Sequence, residues 1–306
     1  MEGICKIKLL VKAARRWYFH RQLSGLSPCL KFVIGRALTI LFWDNPVTPF
    51  LEKVKNCATA FAGHRAAILF TLNFVEGVMQ YTEVQNIAKK TIEFIKDNIQ
   101  PGMTLLEVRH LCETKMMELG ADSFWYWDVG AFVFAGDETT LSVSGKEYTT
   151  SERVIAENDI ITIDLSPQNE DTWGDYARTI IIENGKVVET DNVTNDEWKK
   201  GLLMEEYLHE EMCKFVAPET TFEELYYHIN GIIEEKGYIN LDFMGNLGHS
   251  IVRQKNDRIY IEKGNQICLG EVHYFTFEPH ISVQGSKYGY KRENIYYFEN
   301  GEIKEL

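Results

Sequence analysis

Residues 101–107 read PGMTLLE, and residues 218–224 read PETTFEE. Pro101, Thr104 and Glu107 recur as Pro218, Thr221 and Glu224, at a constant offset of 117. A threonine followed three residues later by glutamate predicts a capping box, in which each side chain satisfies an orphan backbone N–H at the start of a helix. Gly120 and Gly237 close the two predicted helices at the same offset, in the position where a left-handed conformation suits glycine. Val108, Leu111, Cys112 and Leu119 give the first of these helices its apolar stripe. A further helix precedes each. Val84, Ile87, Ala88, Thr91, Ile95 and Ile99 lie three and four apart on one face, and Pro101-Gly102 ends that run. Thr194 with Glu197 predicts another capping box, opening a helix that runs to about Val216. Strand signals follow each helix pair, at Ile160–Leu165 and Tyr176–Ile182, then at Tyr274–Phe277 and Ile295–Phe298. Both second strands end in Glu-Asn-Gly, at 183–185 and 299–301, where Asn-Gly favours a type I′ hairpin. One capping box is a weak signal, but four matched positions and the Asn-Gly echo make an internal duplication. The expected fold is α+β: two pseudo-symmetric helix–helix–strand–strand halves around a central cleft.

The acidic residues follow the same duplication. Asp164 ends the apolar run Ile160-Ile161-Thr162-Ile163, and Asp175 begins the next strand. Glu278 follows Tyr274-Phe275-Thr276-Phe277, and Glu293 precedes Asn294-Ile295-Tyr296. An ionised carboxylate within such strands costs several kcal/mol if unpaired. Singly, each acid reads as a turn residue or a cap. Together, symmetry directs all four to one point, with His249 nearby in a loop carrying Gly245 and Gly248. Four carboxylates and one imidazole suit Mn²⁺ or Co²⁺ foremost, with Zn²⁺ or Fe²⁺ as alternatives, and the lack of thiolates argues against a structural zinc site. Two bridged ions would balance the charge and activate a water between them.

The strings Ile163-Asp164-Leu165, Gly174-Asp175-Tyr176-Ala177-Arg178-Thr179, Gly248-His249-Ser250-Ile251, Phe275-Thr276-Phe277-Glu278-Pro279 and Gly289-Tyr290-Lys291-Arg292-Glu293-Asn294 make residues 82–306 resemble the pita-bread metallopeptidases: methionine aminopeptidase, Xaa-Pro aminopeptidase and prolidase. The short interval between Glu278 and Glu293 is most similar to the Xaa-Pro branch. The resemblance implies a dinuclear centre held by Asp164, Asp175, His249, Glu278 and Glu293, with Glu278 also shuttling a proton. It implies removal of an N-terminal residue from a short peptide or cleavage of a small amide, as in an Xaa-Pro aminopeptidase or dipeptidase. A homodimer stays open. Two histidines usual in these peptidases, which position the scissile amide, are absent: the first stretch reads Leu141-Ser142-Val143-Ser144, and Asn256 stands at the second place. His280 is the candidate substitute, the alternative being a solvated loop histidine. Trp125, Tyr126, Trp127 and Trp173 are candidate walls of the cleft or plain core. The competing functions are a metalloenzyme acting on a non-peptide small molecule and a non-catalytic peptide-binding relative.

Charge divides the chain. Residues 1–78 carry eleven Lys/Arg against four Asp/Glu, while the whole chain has a net charge of −13. The expected organisation is therefore a basic N-terminal extension over 1–78 and a catalytic domain over 79–306. So acidic a body repels phosphates, which argues against nucleic acid as a partner. No apolar run approaches the ~20 residues of a membrane helix; Phe32–Trp43 is short and broken by Arg36. Six cysteines without a C-x-x-C pair read as reduced thiols, with a cytoplasmic location expected.

Overall fold

The computed structural model describes the backbone from Arg65 to Leu306 and side chains from Gln80 onward. The basic stretch 1–64 lies outside the described residues. Glu76–Leu306 form one compact unit. Helix α1 spans Arg65–Asn98, so position 79 falls inside a helix rather than between elements.

Four helices and fourteen strands are described. Helix α2 covers Leu105–Glu118, α3 Asp196–Phe215 and α4 Phe222–Glu235. After α2 come β1 (Ser123–Phe124), β2 (Ala131–Ala135), β3 (Asp159–Leu165), β4 (Pro167–Asn169), β5 (Thr172–Trp173), β6 (Tyr176–Glu183) and β7 (Lys186–Val188). After α4 come β8 (Tyr238–Asn240), β9 (Ser250–Ile251), β10 (Tyr274–Phe277), β11 (His280–Val283), β12 (Gly289–Lys291), β13 (Asn294–Glu299) and β14 (Glu302–Glu305). The sheets repeat as fully as the helices. The first half holds β2-β3-β6-β7 and a small sheet β1-β4-β5; the second holds β9-β10-β13-β14 and β8-β11-β12. Every strand of one half thus has a counterpart seven strands later.

Both expected capping boxes are present, Thr104 with Glu107 and Thr221 with Glu224. Asn184, Gly185, Asn300 and Gly301 all have positive φ, as a type I′ hairpin requires. The expected box at Thr194 and Glu197 is not formed. Buried Glu183, at the end of β6, accepts from the backbone N–H and hydroxyl of Thr194. The cap of α3 passes to Asn195, which accepts from the N–H groups of Glu197 and Trp198.

Strand β3 is apolar on consecutive residues because both its faces are covered. Ile161, Ile163 and Leu165 join the core beneath α1 and α2, with Ile92, Ile95, Val108 and Met116. Ile160 faces the other way, into the core of the second half. Alternation then places Thr162 and Asp164 on that inner face. In β10, Phe275 and Phe277 join the core of the second half, together with Leu208 and Leu225. Thr276 and, by continuation, Glu278 point the opposite way. The halves are stitched where β6 meets β12 and β13. Arg178 donates to the Glu293 carbonyl at 2.8 Å and to Asn294 Oδ1 at 2.7 Å, and the Glu293 N–H donates to the Ala177 carbonyl at 3.0 Å.

Candidate metal centre

Asp164 sits one residue before the end of β3, opposite Ala177 of β6, and Asp175 immediately precedes β6. Gln85 of α1 fixes the Asp175 backbone by a reciprocal pair: Gln85 Nε2 donates to the Asp175 carbonyl at 2.7 Å, and the Asp175 N–H donates to Gln85 Oε1 at 3.0 Å. From the second half, His249 is held against β10. Its N–H donates to Thr276 Oγ1 at 2.9 Å, and its carbonyl accepts from the Thr276 N–H at 2.7 Å. This close approach needs Gly248, which has φ +137° and where a Cβ would lie 2.3 Å from the Thr276 carbonyl oxygen. Thr276 Oγ1 also donates to Glu278 Oε1 at 3.3 Å.

The five expected ligands converge. Oxygens of Asp164, Glu278 and Glu293 lie within 4.8 Å of one another. His249 Nε2 is 3.6 Å from Asp175 Oδ2 and 3.7 Å from Glu278 Oε1. Those distances are too long for hydrogen bonds. His249 Nδ1 donates to the Ser250 carbonyl at 3.1 Å, which leaves Nε2 as a lone pair facing the carboxylates. Burial holds the His249 imidazole down to about 3, so the ring is neutral. Glu293 is completely buried, and neither of its carboxylate oxygens has a hydrogen-bond partner. Burial, reinforced by neighbouring carboxylates, raises the pKa of Asp175 and Glu293, and burial pushes Glu278 up to about 7. Acceptors gathered this way, with no donors of their own, fit divalent cations.

One group within the cluster was not anticipated. Lys291 Nζ donates to Asp164 Oδ2 at 2.6 Å and lies 3.2 Å from Glu278 Oε2. Burial opposes its charge, but Asp164, Glu278 and Glu293 together raise its pKa well above the ordinary lysine value. A lysine two residues before a suspected ligand, in the stretch Gly289–Glu293, was the available sequence signal. Gln85, a polar residue beside the apolar stripe of α1, was another. Asp242 carried none: it accepts from Ser142 Oγ at 2.8 Å and so links the halves beside the site.

His280 is not a solvated loop residue. It is buried in β11, and Nε2 donates to the Thr139 carbonyl at 2.7 Å. Burial lowers its pKa to about 4. In this arrangement the one proton of the neutral ring is committed to Thr139, which leaves no donor for a substrate oxygen. Of those two places, Val143 packs against an apolar cluster containing Phe132 and Tyr148, and Asn256 is exposed in a turn. Trp125 and Trp173 are buried beside His249, their ring centres 4.1 Å apart, whereas Trp127 is exposed. The guanidinium of Arg258 lies over the Trp125 ring at 4.7 Å and bears electrostatically on Asp175 and His249.

Residues 80–300 match the sequence profile of metallopeptidase family M24. Solved structures share the fold. An X-Pro aminopeptidase from Thermotoga maritima superposes with a TM-score of 0.63 at 22% identity, covering 75% of this chain and 60% of the other. A prolidase from Pyrococcus horikoshii gives 0.62 at 20% identity, covering 75% and 61%. A methionine aminopeptidase from Thermotoga maritima gives 0.60 at 16%, covering 75% and 96%. The matched region therefore spans about three fifths of the length of the first two proteins. No curated protein sequence matches the chain. Among the described residues, no helix is long and apolar enough to cross a membrane.

Proposed function

Since the chain belongs to metallopeptidase family M24, we propose that it is a metal-dependent peptidase releasing the N-terminal residue of short peptides. The observation that carries this reading is Glu293: a fully buried carboxylate with both oxygens unpartnered, within reach of Asp164 and Glu278. An isolated buried acid would keep its proton instead, but one gathered with other carboxylates and a neutral imidazole is what a cation would complete. Asp164, Asp175, His249, Glu278 and Glu293 are the residues that would hold divalent ions. When bound, those ions supply Lewis acidity and an activated water.

The chain's own groups supply the rest. Glu278, buried in the cluster with Thr276 Oγ1 on one oxygen and Lys291 on the other, is the proposed carrier of a proton from the attacking water to the departing amine. Thr276 holds Glu278 and the His249 backbone in register. Arg258 is the proposed donor for a substrate carbonyl or carboxylate, in place of the histidines absent at positions 143 and 256. The proposed division of the chain keeps 1–78 as a basic extension of a catalytic body.

A second reading, a metalloenzyme acting on a non-peptide small molecule, is favoured by one observation: His280 has no free donor to position a scissile amide. Hydrolysis of a panel of X-Pro and non-Pro dipeptides by Mn²⁺-reconstituted protein separates the two. Cleavage of any peptide in the panel, lost with chelator, supports the peptidase. Metal uptake without cleavage supports the second reading, and absence of metal uptake removes both.

A further inference from the structure

A second polar cavity, of about 130 Å³, lies among α1, β6, β7, α3 and the end of β12, and none of the five proposed metal ligands lines it. One water needs only about 10–15 Å³, so the space suits a ligand of several atoms. Strand alternation separates it from the carboxylate cluster. Lys291 and Glu293 both reach that cluster, and Arg292 between them points the other way, towards Glu206 of α3. The cavity carries polar groups that the chain does not satisfy. Glu205 of α3 is 2% exposed, and neither of its carboxyl oxygens has a hydrogen-bond partner. Arg292 Nε is buried and likewise unpartnered. Among the described residues, the one carboxylate within ion-pair reach of Arg292 is that of Glu206 at the rim, 3.9 Å away and too far for a hydrogen bond. Arg178 has no carboxylate partner among the described residues, its donors going to the Ala177 and Glu293 carbonyls and to Asn294 Oδ1. Lys96 is engaged by Glu93 and Glu189, each at 3.4 Å.

From this geometry we infer that the cavity is a binding site for a small oxyanion, a carboxylate or a phosphate, which accepts from Arg292 Nε and from the Glu205 carboxyl. An ionised Glu205 would be drawn onto a guanidinium, yet it pairs with none. Burial raises its pKa well above the ordinary value, against the pull of Arg292, Lys291 and Arg178. A neutral carboxyl has an O–H to donate. Two guanidinium groups beside a neutral acid leave the cavity short of negative charge, and an oxyanion supplies that charge together with acceptors for both orphan donors. Glu206 is 43% exposed, so its side chain can turn to water as an anion enters.

The experiment is calorimetric titration of the full chain with sodium acetate and with inorganic phosphate, each at fixed ionic strength. The wild type should bind at least one of them, and the tighter of the two identifies the source as carboxylate or phosphate. Arg292→Gln should weaken binding about tenfold or more, the loss of a hydrogen bond from a charged donor. Glu205→Gln should stay within a few-fold of wild type, because an amide also offers a donor and an acceptor, whereas Glu205→Leu should lose binding. Asp175→Asn, altered in the carboxylate cluster, should bind as the wild type does. No binding of either anion by folded wild type would overturn the inference, as would unchanged affinity in folded Arg292→Gln. Tighter binding in Glu205→Leu would show that Glu205 repels the anion, and loss of binding in folded Asp175→Asn would place the anion at the carboxylate cluster; either result overturns it. The two Glu205 variants decide the matter even if Arg292→Gln does not fold.

Discussion

In the first half, α1 and α2 cover a sheet whose core is aliphatic: Ile92, Ile95, Leu105, Val108, Ile161 and Ile163. In the second, α3 and α4 cover a sheet packed with Phe222, Phe275, Phe277, Tyr290 and Trp198. The strand order is the same in both, down to the small sheets β1-β4-β5 and β8-β11-β12. The frame thus tolerates a wholesale change of packing material. Its charges do not match so evenly. Asp164 and Asp175 of the first half meet Glu278 and Glu293 at the corresponding strand ends, but His249 and Lys291 come from the second half alone. The short acids stay close to backbone held by β6 and Gln85; the longer ones reach across. One half supplies a fixed floor, and the other supplies the residue proposed to move a proton and the lysine that balances charge beside it.

The largest test of that division is a pair of substitutions at equivalent strand ends. Glu278→Gln keeps a coordinating oxygen but cannot accept a proton, so turnover should fall by about 10²–10⁴-fold. Asp164→Asn should fall less, because Asp164 is proposed as a ligand only. Steady-state rates on the best peptide of the panel measure both, and equal losses would erase the proposed difference between the halves.

Next in size is a pair of glycines, each leading into a sheet. A Cβ at Gly248 would meet the Thr276 backbone at 2.3 Å with φ at +137°, whereas at Gly130 it would meet the side chains of Glu113 and Phe124 at 2.7 Å. Side chains can shift and backbone cannot. Gly248→Ala should cost about 3 kcal/mol and Gly130→Ala about 1 kcal/mol in denaturant unfolding. The reverse order would show that the His249 loop is not held as tightly as its contacts indicate.

Smaller still is the effect of a buried acid with no counterpart. Glu205 of α3 is buried with both oxygens unpartnered, and the position 117 residues earlier is Ala88. Burial raises the Glu205 pKa well above its ordinary value, against the pull of Arg292, Lys291 and Arg178. The folded chain then holds this proton where the unfolded chain has released it. Stability from this group should therefore decline as pH rises from about 4.3, the unfolded value, towards the raised folded one. Glu205→Gln should remove that decline and melt higher than wild type at neutral pH. A steeper decline in the variant would show that Arg292 and its neighbours make the ionised form the native one.

The smallest effects should be equal. Thr104→Ala and Thr221→Ala each delete a capping box, and each should cost about 1 kcal/mol. A difference beyond experimental error would show that helix termini, as well as charges, distinguish the halves.

Much of this was readable from the chain because the signals are local. A capping box needs four consecutive residues, an Asn-Gly hairpin two, and a carboxylate in an apolar strand is conspicuous by itself. The small sheets were missed since β1 and β5 are two residues long and β4, β8 and β12 three, too short to show a period. Thr194 misled because its true partner, Glu183, is eleven residues away. Lys291 and Asp164 are 127 residues apart, and no pattern within a window joins them. His280 read as a substitute for a missing histidine or as a solvated loop residue, and no local signal showed that β11 begins there and buries it.

The reciprocal bonds between Gln85 and Asp175 make α1 a ruler as well as a wall. An α-helix turns about 100° per residue, so one residue deleted between Gln85 and Asn98 would swing the amide away from β6 while leaving most of the helix intact. The position of one carboxylate is thereby indexed to the phase of a helix that begins at Arg65, twenty residues before Gln85.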